Sequence, residues 1–296
     1  MAGRTSAHPT GLSVRNPGTH ARGCRDTVRD VPASDSASPL RVERRDDGVV
    51  VLTLALPDRR NAMTGELTAA WGKTIASLRG DRSVRCIVVT GDGSAFCAGG
   101  DLSWIAESPD LNVDAIRDRM LPFYRTWLSI RELEAPSIAA INGHAVGAGL
   151  CLALACDIRY AARGVKLSAP FTQLGMHAGM AATYLLPEVV GTAAARDLLL
   201  TGRAVTADEA LALGLVSAVY DGDSLLESAL DNAARVAGAA PIASRLTKAG
   251  LRAGHGSLEE ALQYESLAQP VTFATDDLRE GLAATRERRA PNFTGK

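Results

Sequence analysis

The chain has 296 residues, 46% of them hydrophobic and 22% charged, which is enough to bury the core of one large domain, or of one domain plus an appendage. Its formal net charge of -1 and its aromatic content of 4% argue against nucleic acid or a membrane surface as a partner. The richest apolar stretch, 137–155, is interrupted by Asn142, His144 and several glycines, so no membrane span is expected.

The cysteines give a further indication of compartment. They are odd in number, and no CxxC pair or Cys/His cluster at metal-ligand spacing is present. This pattern predicts reduced, mostly buried thiols in a cytoplasmic protein, with no metal centre. The five residues are Cys24, Cys86, Cys97, Cys151 and Cys156.

The first segment, residues 1–38, differs from the rest of the chain. It holds five arginines among Ser, Thr, Pro and Gly, with almost no apolar periodicity. Acidic residues and the lack of an amphipathic face are untypical of an organelle-targeting peptide. We predict a disordered N-terminal extension, or an addition from an early start codon, that takes no part in the fold.

From Leu40 the apolar pattern predicts strands alternating with helices. Two alternating segments joined by Asp46-Asp47-Gly48 predict a hairpin, and continuous apolar runs predict strands buried on both faces. The predicted strands are 40–45, 49–56, 86–90, 137–141, 156–161 and 165–168. The predicted helices of this part are 67–78 and 111–133, the second kinked or interrupted at Pro122 and ended before Pro136.

After about residue 190 the pattern changes to consecutive helices. The predicted helices are 192–200, 206–213, 223–239, 241–253, 257–269 and 276–288. Strands alternating with helices and then a helical tail predict an α/β core over 39–200, followed by a helical region over 201–296.

Two glycine-rich turns carry the first chemical signal. The first turn, 91–102, follows the predicted strand 86–90, and the second turn, 142–150, follows 137–141 and opens an apolar helix. Small residues let a ligand approach the backbone, and a helix start leaves N–H groups unpaired. Two adjacent turns of this kind would form an oxyanion hole, although each alone is also a common structural turn and neither matches a dinucleotide-binding or P-loop motif.

The turns and their surroundings resemble the enoyl-CoA hydratase/isomerase (crotonase) superfamily. The resemblance rests on FCAGGDL (96–102), APSIAAINGHAVGAG (135–149) and LACDIRYAA (154–162). It extends from Leu40 to the C-terminus through LPDRRNAM (56–63), LGM (174–176), LLLTGRAVTADEALALGLV (198–216) and REGLAATRERRAPNF (279–293). It implies an α/β fold, a crotonase-like spiral of ββα units with a C-terminal helical oligomerisation region, and a homotrimer or a dimer of trimers.

The same resemblance implies an acyl-CoA thioester as the partner, with coenzyme A as part of the substrate and no separate cofactor. It assigns the two oxyanion-hole N–H groups to Ala98 and Ala148. It places Arg60 and, from a neighbouring subunit, Arg288 at the phosphates, where the alternative for both arginines is a solvated surface charge. The remaining substrate-binding residues that it implies are Ala62, Gly99, Gly100, Asp101, Leu102, Gly147 and Phe171.

Two positions depart from the family pattern. Hydratases of this family use two glutamates to hold and activate water, and the matching positions here are Cys151 and Phe171. Phenylalanine exchanges no protons, and burial among leucines would raise the pKa of the Cys151 thiol. Hydration by the two-glutamate mechanism is therefore not expected.

Another residue would have to supply the proton transfer. His177 follows Phe171, the second of these positions, and would act as a base near neutral pH. The alternative role for His177 is that of a polar helix-start residue that bonds to the backbone. Asp101 is expected to fix its own turn, and Tyr124 and Tyr184 are weaker candidates. The leading hypothesis is an enzyme acting on an acyl-CoA, and the alternative is a catalytically silent acyl-CoA-binding or structural homologue.

Overall fold

The computed structural model describes residues 38–101, 103 and 112–296. The predicted N-terminal extension, apart from its last residue, lies outside the described residues, and so does Leu102. In the described part the strands are β1 (Leu40–Arg44), β2 (Val49–Leu54), β3 (Cys86–Gly91), β4 (Ala95–Cys97), β5 (Ser137–Ile141), β6 (His144–Val146), β7 (Ile158–Ala162), β8 (Lys166–Ser168), β9 (Ala204–Thr206) and β10 (Ala218–Tyr220).

The helices of the described part connect these strands and then continue alone. They are α1 (Gly65–Leu78), α2 (Val113–Leu128), α3 (Ala148–Ala155), α4 (Ala182–Thr201), α5 (Ala207–Ala212), α6 (Gly222–Ala237), α7 (Pro241–Ala253), α8 (Leu258–Phe273) and α9 (Asp276–Glu287). Short 3-10 helices cover Pro57–Arg59, Ser129–Glu132 and Thr172–Leu174.

The strands form two sheets. The larger sheet has the order β1-β2-β3-β5-β7-β10, with β1 and β2 antiparallel and the others parallel. The smaller sheet has the order β4-β6-β8-β9. The predicted hairpin is confirmed, with Gly48 at φ 82 in its turn. Strands β4, β6, β9 and β10 were not predicted, because three residues are too few to show an alternation.

The core lies on both faces of the larger sheet. Every residue of β3 and of β5 is buried, as their continuous apolar runs predicted. All eight residues of α3 are buried too, so this helix runs through the interior. The rings of Trp71 and Trp127 stack at 5.0 Å and join α1 to α2.

One helix prediction needs correction, and another needs an addition. Helix α2 runs through Pro122 to Leu128 without a break, and a 3-10 turn follows it. Within α4, Gly191 has the non-helical angles φ 75 and ψ 165 and divides the element into two helices across a kink. The second of these agrees with the predicted helix 192–200, and the first, which begins at Ala182, was not predicted.

A buried charge links the C-terminal helices to the strand region. Lys248 of α7 is 7% exposed, and its Nζ lies 2.8 Å from Asp157 and 2.9 Å from the Ala135 carbonyl oxygen. Helix α8 buries none of its residues. None of the described helices combines the length and apolar character needed to cross a membrane.

Candidate functional site

The two glycine-rich turns meet because the strands before them are neighbours. Strands β3 and β5 are parallel, so their carboxyl ends lie at the same edge of the sheet, and β4 pairs with β6 just beyond that edge. A Cβ on Gly149 would lie 2.1 Å from the Cys97 carbonyl oxygen, and one on Gly143 would lie 2.3 Å from that of Ser94. The backbones are therefore in direct contact, and no side chain fits between them.

Two asparagines hold the turns in register. The Asn142 Oδ1 accepts a hydrogen bond from the Gly91 N–H at 2.9 Å, which ties the second turn to the first. Asn61, fully buried at φ 54, donates from Nδ2 to the Ala95 and Asp92 carbonyl oxygens at 2.7 and 2.9 Å. Sequence reasoning missed both roles, although asparagine tolerates a left-handed backbone and bonds readily to nearby peptide groups.

One of the two predicted oxyanion donors already has a hydrogen-bond partner in the structure. The Ala98 N–H donates to the Arg60 carbonyl oxygen at 2.9 Å, so it is already used within the protein. Two residues further, no acceptor among the described residues is found for the N–H of Gly100. Gly100 therefore offers a free donor in this turn.

The second predicted donor lies where a helix begins. Ala148 is the first residue of α3, and no acceptor for its N–H is found in the described part of the chain. Gly147 before it adopts φ 56 and ψ −118, which favours glycine. A Cβ on Gly99 would lie 3.4 Å from the Ala148 nitrogen, so the two turns bring Ala148 next to the residue that precedes Gly100.

The turns form one wall of a cavity of about 630 Å³. Most of the remaining lining comes from α2 and from the segment that leads to α4. Four of the chain's five methionines line it, which gives an adaptable apolar surface. They are Met63, Met120, Met176 and Met180. The predicted site residues at this cavity are Ala98, Gly99, Gly100, Asp101, Gly147, Ala148, Phe171 and His177.

Asp101 is the one carboxylate among the described residues that line the cavity. Its oxygens accept from the Ser103 N–H at 3.2 Å and from Arg59 Nη2 at 2.9 Å. The Ser103 hydrogen bonds and the Arg59 charge hold the pKa of this carboxyl below its usual range. Asp101 is thus a fixed anion that orders its own turn and salt-bridges to Arg59, a role that differs from proton transfer.

Phe171 is part of the cavity lining, whereas Cys151 is buried behind it. Cys151 is fully buried and does not line the cavity, and burial raises the pKa of its thiol to about 12. Its Sγ donates to the Gly179 carbonyl oxygen at 3.7 Å. Phe171 lines the cavity, and its ring lies 3.7 Å from where a Cβ on Gly147 would be. Neither residue is suited to act as an acid or base at neutral pH.

His177 is an exposed residue at the cavity. Its Nδ1 lies 2.8 Å from the Ala178 carbonyl oxygen. Because a carbonyl oxygen only accepts, Nδ1 carries the proton in this arrangement, and the neutral ring has its lone pair on Nε2. By contrast, His144 accepts from the Lys166 N–H at 3.0 Å and supports the smaller sheet, as a structural histidine would.

Three predicted binding residues are not part of the cavity wall. Arg60 and Arg288 are exposed, with φ 51 and 56, and Ala62 is half-buried with its N–H bonded to the Arg59 carbonyl oxygen at 3.0 Å. Leu102 falls outside the described residues. The cavity therefore brings together the predicted residues of the two turns with Phe171 and His177. The predicted phosphate contacts, Arg60 and Arg288, lie at the surface.

Comparison with known proteins places these features in context. Residues 44–296 match the sequence family described as enoyl-CoA hydratase/isomerase. The chain is 38% identical over 252 residues to a probable enoyl-CoA hydratase, echA8, of Mycobacterium bovis, covering 84% of this chain and 96% of that protein. It is 36% identical over 253 residues to the putative enoyl-CoA hydratase/isomerase YngF of Bacillus subtilis, covering 85% and 96%.

Solved structures give the same result. An enoyl-CoA hydratase from Bacillus anthracis superposes with a TM-score of 0.82 at 33% identity, covering 87% of this chain and all of that one. A probable enoyl-CoA hydratase/isomerase from Mycobacterium abscessus superposes with a TM-score of 0.79 at 37% identity, covering 88% and 100%. The predicted α/β fold with its C-terminal helices is thereby confirmed.

Proposed function

The chain belongs to the enoyl-CoA hydratase/isomerase family, and from that premise we propose that it binds an acyl-CoA thioester and stabilises the thioester enolate between the N–H groups of Gly100 and Ala148. The observation that carries this proposal is the presence of two unused backbone donors on one wall of an apolar cavity. Donors aimed at a developing oxyanion each contribute about 3 kcal/mol to transition-state stabilisation.

The proton-transferring group in this proposal is His177. Its Nε2 removes a proton from the acyl Cα, and the electron pair of the broken C–H bond moves into the thioester, where the two N–H groups stabilise the charge on oxygen. Support comes from the position of His177 at the cavity and from the absence of glutamate among the described lining residues. Cys151 and Phe171 occupy the positions of the two hydratase glutamates, so two-glutamate hydration is not part of this proposal.

The proposal extends to the assembly. Helix α8 exposes large apolar side chains, which supports a homotrimer or a dimer of trimers built on the C-terminal helices. In that assembly Arg60 and a neighbouring subunit's Arg288 would contact the coenzyme A phosphates. The exposed residues of α8 are Leu258, Leu262, Leu267, Val271 and Phe273.

A proline substitution tests the donor on α3. Ala148→Pro removes the N–H at the first helical position, where proline is well tolerated. The reaction is deuterium exchange at Cα of butyryl-CoA in D2O, detected by mass spectrometry. We expect the rate of this exchange to fall by about 100-fold or more. Gly222→Pro makes the same change at the first position of α6, away from the cavity, and serves as the control. Wild-type exchange by a folded Ala148→Pro protein would contradict the proposal.

A second candidate function is a catalytically silent acyl-CoA binder, which the inert Cys151 and Phe171 favour. Calorimetry with butyryl-CoA separates the two candidates when it is combined with the exchange measurement. The enzyme is supported if the wild-type protein binds butyryl-CoA and exchanges its Cα proton, and if His177→Ala abolishes the exchange. We expect this substitution to lower the exchange rate by about 100-fold or more. Binding without exchange by the wild-type protein supports the silent binder.

A further inference from the structure

The phenol of Tyr124 is built into the cavity wall. It projects from α2 toward the segment before α4, where a Cβ on Gly179 would lie 2.6 Å from the phenol oxygen and 3.2 Å from the ring carbon that bears it. Gly179 has no left-handed backbone angle that would call for glycine. The missing side chain at this position therefore provides the space that the Tyr124 hydroxyl occupies.

The hydroxyl proton of Tyr124 is available to a ligand. No acceptor for the phenol O–H is found among the described residues, and Tyr124 lines the cavity. Burial raises the pKa of Tyr124, with the neighbouring Cys151 acting in the same direction. The group is therefore protonated at neutral pH, as a proton donor must be.

The Tyr124 hydroxyl and Cys151 both lie against Gly179. The phenol oxygen would lie 2.6 Å from a Cβ on Gly179, and the Cys151 thiol donates to the Gly179 carbonyl oxygen at 3.7 Å. Cys151 follows Ala148 by three residues on α3, which is a rise of about 4.5 Å along the helix. An acyl chain whose carbonyl oxygen is at Ala148 would therefore bring its β-carbon toward Tyr124.

We propose that Tyr124 is a catalytic residue that gives its hydroxyl proton to an oxygen on the β-carbon of the bound acyl group. The inference rests on the proposed function of the same site. In the direction of elimination, His177 takes the Cα proton and the enolate forms. The Cβ–O bond then breaks, its electron pair leaves with the oxygen, and the phenol proton completes a water molecule. An enoyl thioester remains, and solvent returns a proton to the phenolate and takes one from the imidazolium.

Two measurements on the full chain test this role. The first is elimination, followed as enoyl-CoA formed from 3-hydroxybutyryl-CoA and from 3-hydroxy-3-phenylpropionyl-CoA. The second is deuterium exchange at Cα of butyryl-CoA, which has no β-oxygen. We expect Tyr124→Phe to lower the ratio of elimination to exchange by about 100-fold or more, because general acid catalysis contributes that much. Tyr184→Phe alters a 62% exposed tyrosine outside the cavity and serves as the matched control.

Gly179→Ala supplies an independent arm, because its new methyl group would displace the hydroxyl while Tyr124 keeps its phenol. We expect the same selective loss of elimination, with a circular dichroism spectrum like that of the wild type. An unchanged ratio in Tyr124→Phe overturns the inference, and so does wild-type exchange without elimination of either substrate. Failure of the wild-type protein to exchange butyryl-CoA instead overturns the proposed function, and the inference with it.

Discussion

The two sides of the cavity are constructed in different ways. On the backbone side, formed by the first and second turns, peptide groups from two strands are packed against each other so closely that Gly149 and Gly143 admit no side chain. On the side-chain side, formed by α2 and the segment 170–180, the surface includes methionine, phenylalanine, histidine and tyrosine side chains. In the proposed function, carbonyl polarisation depends on the backbone side, and proton transfer depends on the side-chain side.

In the proposed function, this difference would let one half of a mechanism stay while the other changes. Backbone donors are fixed by the packing that makes the fold, so they persist as long as the turns are in contact. Cys151 is buried in the interior and Phe171 lines the cavity. The proposed enzyme would therefore polarise a thioester without the paired carboxylates, and its remaining chemistry would depend on side chains that the fold does not dictate.

The largest expected effect is on the backbone side. Gly149→Ala would place a methyl group 2.1 Å from the Cys97 carbonyl oxygen, and only a movement of one turn would relieve the clash. We expect the free energy of unfolding to fall by about 3 kcal/mol or more, because overpacking against backbone has no flexible side chain to yield. Denaturant unfolding measures the change.

The matched control for this prediction is Gly222→Ala. It adds a methyl group where nothing lies within 4 Å, at a helical glycine without a left-handed backbone. We expect its free energy of unfolding to stay within about 0.5 kcal/mol of the wild-type value. Equal effects of the two substitutions would contradict the close packing of the turns.

A smaller effect is expected on the side-chain side. Phe171→Leu replaces a cavity-lining aromatic ring by a smaller aliphatic side chain and leaves the backbone in place. We expect a loss of about 1 kcal/mol in the free energy of unfolding, together with tighter binding of bulkier acyl-CoA thioesters relative to butyryl-CoA. Phe273→Leu, at a 57% exposed position, is the control. A larger stability loss than that of Gly149→Ala would reverse the comparison between the two sides.

The smallest effect at neutral pH concerns two buried thiols, those of Cys97 and Cys151. Burial raises the pKa of Cys97 and of Cys151 from 9.0 to about 12. A raised folded-state pKa contributes stability that is fully present below the unfolded value and is lost as the pH rises through the folded one. We therefore expect the free energy of unfolding to fall between about pH 9 and 12, and Cys97→Ala/Cys151→Ala to flatten that fall. Iodoacetamide should label neither thiol in the native protein at pH 7.

The sequence predicted the parts of the fold that repeat a pattern over many residues. Strand Ser137–Ile141 and helix Pro241–Ala253 were predicted with the bounds that the structure gives them. Three strands of the smaller sheet, β4, β6 and β9, were missed because they are held by pairing with distant segments rather than by their own composition. Pattern reasoning similarly could not foresee that α2 continues through Pro122.

At the site, the sequence predicted which turns matter but not which of their N–H groups are free. Ala98 loses its donor to the carbonyl oxygen of Arg60, a residue almost forty positions earlier, and no local pattern reports such a contact. Tyr124 was undervalued for the same reason, since its meaning depends on the space left by Gly179. Both cases concern contacts between segments that only the folded chain brings together.

The contact between the two turns also has a consequence for how the protein acquires activity during folding. Asn142 bonds to Gly91 across an interval of 51 residues, so the donors of the site are assembled only after a long segment of chain has been closed into a loop. Closures of this length are slow relative to local helix formation. Catalytic competence during refolding should therefore appear after the helical signal, as a late reporter that β3 and β5 have paired.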